Sequence, residues 1–207
     1  MRKGFGVCCI VLGVWCLLTS LGFIVCNYLE EESAQYASAD ILHDVRQNIS
    51  EKKGEESHPA EIDRDELAEI PEDISPKVIT TQVDGYDCMG ILSIPVLELE
   101  LPVLTDWDYE KLKLAPCQYY GSYNEENFVI AAHNYQSHFG RLSELQPKDL
   151  ILFTDISGTV HCYEVVLLET LPANAIEEMV ASGFDLSLYT CTPGGASRVT
   201  VRCSAVS

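Results

Sequence analysis

The chain has 207 residues, of which 47% are hydrophobic and 22% are charged, a balance typical of one globular domain with additional segments. Its net charge is −19, and an acidic surface repels phosphate backbones, so the composition argues against a nucleic-acid-binding protein. The nine cysteines include no C-x-x-C spacing, which argues against a zinc site or a thioredoxin-like redox motif.

The first feature along the chain is an uncharged apolar run over residues 5–26, which is long enough to cross a bilayer core of about 30 Å. Arg2 and Lys3 precede the run and acidic residues follow it. The positive-inside rule therefore keeps residues 1–4 in the cytoplasm and places the rest of the chain outside. A cleavable signal peptide has a shorter apolar stretch and a small-x-small cleavage site, which this run lacks. Because Val25 is also too large for the residue before a lipidated Cys26, the run predicts an uncleaved, single-pass membrane anchor.

Residues 27–76 form an acidic segment with fifteen acidic and four basic side chains and few aromatic ones. A segment of this composition cannot bury enough apolar surface to offset the entropy of ordering it. Part of it is predicted to be helical, because apolar side chains recur at helix-like spacing at Ala37, Ile41, Leu42 and Val45. The segment is predicted to be an extracellular stalk, partly helical or disordered, that holds the following domain away from the membrane.

Residues 77–207 show short apolar runs with period-two character, separated by Gly, Pro, Asn and Asp. Strands are predicted over residues 89–96, 98–104, 128–133, 149–154, 159–171, 186–191 and 198–203. Short helices are predicted over residues 109–114, 139–145 and 175–182. Because most elements are strands with short connections, these residues are predicted to form a mainly β domain, a closed or nearly closed antiparallel barrel.

Five cysteines follow the predicted anchor, and an odd number cannot all pair with one another. Four of them are predicted to be small buried apolar residues: Cys88, Cys117, Cys162 and Cys203. The fifth, Cys191, lies at the end of a predicted strand and carries the chemical argument that follows.

The last two predicted strands place Cys191 beside an arginine. If they pair as an antiparallel hairpin, Cys191 lies directly opposite Arg198, with Cβ atoms about 4.5–5.5 Å apart. Both side chains then lie on the face opposite the apolar one. Arg202 shares that face but pairs with Ser187, farther from the thiol. The Pro-Gly-Gly loop at 193–195 supplies flexible backbone next to the thiol, which suits a site that admits a peptide.

His133 ends another apolar run, and Ala131 and Ala132 before it leave space around its ring. A thiol, an imidazole and a guanidinium supply the nucleophile, the proton carrier and the oxyanion stabiliser of cysteine acyl transfer. Cys191, His133 and Arg198 are therefore the candidate catalytic residues. The remaining histidines are weaker candidates, two in the acidic segment, one in a polar turn and one in a strand: His43, His58, His138 and His161.

Three motifs in this order resemble the sortase family of Gram-positive cell-surface transpeptidases: Ala-Ala-His-Asn at 131–134, Leu-Tyr-Thr-Cys at 188–191, and Arg198 in the next strand. The resemblance covers about residues 86–207, and segments 90–95 and 101–103 are similar to the family's first two strands. It implies a closed eight-stranded sortase-type β-barrel with short helices, preceded by the transmembrane helix, with the catalytic domain outside the cell membrane.

The resemblance also implies a two-step transpeptidation. Cys191 would attack the Thr–Gly carbonyl of an LPXTG-like sorting signal at the C-terminus of a surface protein, forming a thioacyl intermediate. An amine of a peptidoglycan precursor or of a pilin would then resolve the intermediate, with hydrolysis as a side reaction. His133 would carry the proton and Arg198 would stabilise the oxyanion. Other residues are expected to contact the substrate: Thr190, Asn134 and Thr192. No cofactor or metal is expected, and the calcium site of some class A members is not evident.

The signals for a sortase class are mixed. His133-Asn134 with the downstream Phe139, and the helix predicted before the cysteine strand, resemble class B. The segment Thr-Cys-Thr-Pro at 190–193 is more similar to classes C and D. The acceptor amine and the exact sorting motif therefore stay open.

Two other interpretations compete with a sortase. An L,D-transpeptidase also orders His before Cys and Arg, but its arginine lies two residues after the cysteine, whereas Arg198 lies seven after Cys191. Papain-like hydrolases place Cys before His, the reverse order. A non-catalytic, membrane-tethered β-domain that binds a cell-wall component is the alternative from a different class, and the ordered His–Cys–Arg set argues against it.

Overall fold

The computed structural model describes residues 2–55 and 78–206, and the side chains of residues 10–52 and 78–206. The helices are α1 (Arg2–Glu55), α2 (Tyr109–Leu112) and α3 (Ile176–Val180), with 3-10 turns at Pro95–Leu97 and Leu142–Glu144. The strands are β1 (Thr81–Val83), β2 (Tyr86–Ile94), β3 (Leu99–Leu104), β4 (Cys117–Tyr120), β5 (Phe128–Ala131), β6 (Leu150–Asp155), β7 (Val160–Pro172), β8 (Leu186–Cys191) and β9 (Ser197–Ala205).

Eight of these strands close into a barrel in the order β2-β3-β4-β5-β8-β9-β7-β6, with β6 pairing back onto β2. The short strand β1 lies outside the barrel and pairs only with the start of β2 among the described strands. The predicted closed eight-stranded barrel is therefore confirmed. The expectation of a fully antiparallel barrel was wrong, because β3 pairs with β4, and β5 with β8, in parallel.

Two strands and one helix differ from the sequence prediction. Strands β1 and β4 are only three and four residues long, and they lack the sustained alternation that identified the others. The helix predicted over residues 139–145 is instead a loop followed by the 3-10 turn Leu142–Glu144. Short elements of this kind are held by their neighbours in the barrel, so local periodicity does not reveal them.

The barrel interior is filled by apolar side chains from all sides, among them Leu92, Phe128, Phe139, Phe153 and Leu188. Cys88, Cys117 and Cys203 are buried and free, as predicted, whereas the prediction was wrong for Cys162, which is only half-buried. Burial raises the pKa of each buried thiol to about 12, which keeps these thiols neutral and unreactive.

Helix α1 runs without a break from the predicted anchor into the predicted acidic stalk. The range Ile10–Lys52 contains an 18-residue window of mean hydropathy 2.1, none of it buried, so α1 is long and apolar enough to cross a membrane. Beyond that window the helix packs on the barrel wall, where Ile41, Val45 and Ile49 join a second apolar cluster with Ile91 and Leu104. Arg46 also forms an ion pair with Glu100 of β3. Over its described part, the predicted stalk is thus packed against the barrel; residues 56–77 lie outside the described residues.

Candidate active site

The hairpin of β8 and β9 places Cys191 directly opposite Arg198, in the register predicted from the sequence. The connecting loop is tied at its base, where Thr192 N donates to Ser197 O at 2.9 Å. Gly194 and Gly195 have φ angles of 82° and 74°, a left-handed conformation that other residues rarely adopt. The thiol and the guanidinium are therefore brought together by local chain geometry.

Strand β5 brings His133 to the same place. It runs parallel to β8, with Ala131 paired with Tyr189, and the pairing continues where Ala132 N donates to Tyr189 O at 3.2 Å. The hydroxyl of Thr190 adds a 2.9 Å bond to Ala132 O. Continuing the register by two residues beyond the Ala131–Tyr189 pair places His133 level with Cys191.

His133, Cys191 and Arg198 all line one cavity of about 170 Å³. One wall comes from the end of β7 and from α3, with Pro172, Ala173, Ala175, Ile176 and Met179. A second wall is aromatic and comes from β4, β8 and the segment around α2, with Trp107, Tyr109, Tyr119 and Tyr189. The lining thus combines the three candidate groups with an apolar wall and an aromatic wall.

Burial lowers the pKa of His133 below its ordinary value of 6.5. The ammonium of Lys113 acts in the same direction, and the carboxylate of Glu30 on α1 acts in the opposite one. The site therefore favours a neutral imidazole at rest, which can accept the proton of the thiol.

Arg198 is half-buried, and its Nη1 donates to Gly195 O at 3.0 Å and to Ser197 O at 3.1 Å. These two bonds fix the side chain along the loop that follows the cysteine. A guanidinium has five N–H donors, and both bonds use the same nitrogen, so neither bond occupies the donors on Nε and Nη2. Arg198 can therefore bind an oxyanion while it remains anchored to the loop.

The aromatic wall was not identified from the sequence. Tyr119 packs against Trp107 and Tyr189, with ring centroids 5.5 and 5.3 Å apart, and Trp107 also packs edge-on against Tyr109 at 5.7 Å. Two of these rings lie in the loop at α2, one on β4 and one on β8, so no periodic pattern joins them. The wall gives the cavity a large planar surface for substrate contact.

Arg202 supports the other wall. Its side chain is only 1% exposed, although it lies on the face predicted to be opposite the core. Its guanidinium donates to Glu169 Oε1 at 2.7 Å, to Ser187 Oγ at 2.8 Å, and to the carbonyl oxygens of Glu178 and Met179 in α3. Arg202 therefore fixes α3 against the barrel and holds Met179 at the cavity.

The three residues expected to contact substrate lie around this cavity rather than in its lining. Thr190 is buried, and its hydroxyl is bonded to Ala132. Thr192 closes the β8–β9 loop through Oγ1, which accepts from Ser197 N at 3.1 Å, and Asn134 is exposed at the start of the loop after His133. Their contact with substrate stays a prediction.

His138 lies in a turn, as predicted, but its ring is fully buried, close to the Ala34 backbone of α1. His161, by contrast, is half-buried on β7, where Nε2 lies 3.2 Å from Asp155 Oδ2. Among residues 2–55 and 78–206, no group of three or more His, Cys, Asp or Glu side chains is placed to hold a metal ion.

A family model described as the Sortase domain matches residues 92–206, more than half of the chain. The chain belongs to the sortase family. No curated protein matches the sequence of this sortase.

Solved sortase structures share its fold. The Sortase D5 transpeptidase of Clostridium perfringens has a TM-score of 0.58 at 15% identity, over 83% of this chain and 99% of that chain. Sortase C of Streptococcus pneumoniae has a TM-score of 0.51 at 24% identity, over 58% of this chain and 69% of that one. A lid mutant of sortase A from Corynebacterium diphtheriae has a TM-score of 0.51 at 23% identity, over 57% and 70%. At these identities the similarity shows the fold alone, and it does not decide the class of this sortase.

Proposed function

We propose that this sortase is a membrane-anchored cysteine transpeptidase in which Cys191 is the nucleophile, His133 the proton carrier and Arg198 the oxyanion stabiliser. One observation supports these roles above all others. The three side chains come from separate positions in the chain and line the same cavity. Membership of the sortase family supports the reaction type.

In the first step, the neutral imidazole of His133 takes the thiol proton, and the Cys191 thiolate attacks the carbonyl carbon of a scissile amide. A C–S bond forms, and the carbonyl π pair moves onto oxygen, where the guanidinium of Arg198 stabilises the charge. When the carbonyl re-forms, the C–N bond breaks and the imidazolium of His133 donates its proton to the leaving amine. The products are the thioacyl enzyme and the released C-terminal fragment.

In the second step, an acceptor amine attacks the thioacyl carbonyl, and His133, now neutral, takes a proton from it. The new C–N bond forms, the C–S bond breaks, and the thiolate leaves and regains the proton from the imidazolium. Water in place of the amine gives a carboxylic acid, which is the hydrolytic side reaction.

The proposed donors are surface proteins with a C-terminal LPXTG-like sorting signal, and the proposed acceptor is an amine of a peptidoglycan precursor or of a pilin. The description of the similar Streptococcus pneumoniae sortase C refers to pilin substrate specificity, which supports including a pilin. The apolar part of α1 supports single-pass anchoring in the cell membrane with the barrel on the outer side.

The test uses the full chain in detergent micelles, because α1 packs on the barrel. A library of quenched fluorescent LPXTG-type peptides is incubated with the enzyme and hydroxylamine, and the hydroxamate product is identified by mass spectrometry. We expect wild type to give product and Cys191→Ala to give none. Cys162→Ala is the matched control, because Cys162 is half-buried on β7 outside the cavity, and it should keep its activity. Product from Cys191→Ala would refute the assignment, and wild type inactive on every peptide would favour a non-catalytic binding domain.

A further inference from the structure

Residues 134–140 form a compact loop directly after His133, here called the histidine loop. Within it, Tyr135 O accepts from His138 N at 3.0 Å and from Gly140 N at 2.8 Å. The carbonyl of His133 itself accepts from Phe139 N at 3.1 Å. The backbone position of His133 is therefore coupled to the conformation of the whole loop.

Gly140 shows how tightly the histidine loop is wound. A Cβ atom at this position would lie 2.7 Å from both Asn134 O and Tyr135 O, closer than real Cβ atoms approach. The two ends of the loop are thus in direct backbone contact. Because the loop has little internal space, we expect that moving its outer side also moves its two ends.

Helix α1 contacts the outer side of the histidine loop. The carboxylate of Glu31 accepts a hydrogen bond from Gln136 N at 2.7 Å, a short distance typical of a charge-assisted bond. Ala34 and Ser38 continue the same face of the helix and are buried. The ring of His138 is fully buried beneath this face.

Three adjacent rings form a column that connects the region beneath α1 to His133, the candidate proton carrier. The His133 and Tyr135 ring centroids lie 5.0 Å apart, and the Tyr135 and His138 centroids lie 5.6 Å apart. His138 lies at the buried end of the column, close to the Ala34 backbone of α1, and His133 lies at the cavity end. The helix therefore bonds the loop backbone at Gln136 and lies close to the His138 end of the ring column.

We propose that Glu31 is a positioning residue of this sortase: through its bond to Gln136 N, α1 clamps the histidine loop and fixes the His133 imidazole beside Cys191. The part of the inference that concerns catalysis rests on the function proposed above. The helix that carries the predicted anchor is thereby an integral part of the catalytic unit. Glu31 touches neither the thiol nor the cavity, so its effect on the reaction passes through His133.

The first test measures the clamp itself and does not require activity. Amide hydrogen exchange is followed by mass spectrometry on the full chain in micelles, for wild type, Glu31→Ala, Glu31→Gln and Asp40→Ala. Exchange of residues 134–140 should be at least ten-fold faster in Glu31→Ala, and near the wild-type rate in Glu31→Gln, whose side-chain oxygen can accept the same bond. Asp40→Ala removes a carboxylate from an exposed position on the same helix and should leave the loop unchanged. Equal exchange in wild type and Glu31→Ala would overturn the clamp.

The second test separates positioning from a purely structural role. Each variant is assayed with one cleaved peptide at a temperature where unfolding curves show it fully folded. Proton transfer by His133 contributes to the transition state and not to binding of the peptide. Glu31→Ala should therefore lower kcat ten- to a hundred-fold, with KM for the peptide within about two-fold of wild type. Glu31→Gln should recover most of kcat. An unchanged kcat in folded Glu31→Ala, or no recovery in Glu31→Gln, would overturn the positioning role, whereas an inactive wild type would refute the proposed function and leave the exchange result standing.

Discussion

His138 should make the stability of this fold depend on pH between about 4 and 6.5, mostly above the range in which carboxylates titrate. Its ring is fully buried, and within residues 10–52 and 78–206 neither ring nitrogen has a hydrogen-bond partner. Burial lowers the pKa of His138 to about 4, the nearby His133 acts in the same direction, and the Ala34 backbone acts in the opposite one. In the unfolded chain the pKa has its ordinary value of 6.5.

Between these two pH values the unfolded chain binds a proton that the folded protein excludes, so the free energy of unfolding rises with pH. The stabilising contribution is fully present above pH 6.5 and is lost as the pH falls toward 4. A histidine whose pKa falls from 6.5 to about 4 on folding contributes about 3 kcal/mol in total, of which about 2 kcal/mol is lost by pH 5.

The assay is urea unfolding of the full chain in micelles at pH 7.5 and pH 5, for wild type, His138→Phe and His43→Phe. A phenyl ring fills a similar volume and carries no titrating group, so His138→Phe should lose about 2 kcal/mol less than wild type between the two pH values. His43 is exposed on α1, and its replacement should leave the wild-type pH dependence intact. If His138→Phe and wild type lose equal stability, the buried ring is not the source of the pH dependence.

Three further results are expected. Replacing Arg202 with Ala should lower the free energy of unfolding by about 3 kcal/mol in urea titrations, because Ser187 and two carbonyls of α3 lose their buried donor; a loss below 1 kcal/mol would contradict this. In an NMR titration, Lys113→Ala should raise the pKa of His133 toward its ordinary value, since the ammonium disfavours the imidazolium; an unchanged or lower value would refute this electrostatic account. Replacing Gly140 with Ala should lower the thermal midpoint and kcat together, because the added methyl displaces the histidine loop; wild-type values for both would show that the loop tolerates the methyl group.

The pairing of Cys191 with Arg198 could be predicted from the sequence because a single short loop fixes the register of a hairpin. The approach of His133 could not be derived in the same way. It depends on the parallel pairing of β5 with β8, two strands far apart in the chain, and only the resemblance to a known family implied it. The spacing of residues along the chain determines which residues pair within a hairpin. The closure of the barrel determines which strands from distant parts of the chain pair with one another.

The sequence did not reveal the burial of residues that are covered by elements far away in the chain. Arg202 alternates onto the face that appeared solvent-facing, and it is buried because α3 covers it. His138 lies among polar residues in the sequence, and it is buried because α1 covers the histidine loop. In both cases the local pattern gave no sign of burial, and a helix from elsewhere in the chain lies over the side chain. Such coverage is a property of the tertiary structure, and a window of a few residues carries no signal for it.

The continuity of α1 has a consequence for where the cavity lies. Glu31 follows the end of the predicted anchor at residue 26 by five residues, and a helix rises 1.5 Å per residue, so the contact with Gln136 lies roughly 8 Å along the helix from the predicted bilayer. The same contact holds the loop that carries His133. If residues 5–26 lie in the membrane, as proposed, the helix would hold this cavity close to the bilayer surface. A stalk that extended the barrel far from the membrane would require this contact to break, and the histidine loop would then lose its clamp.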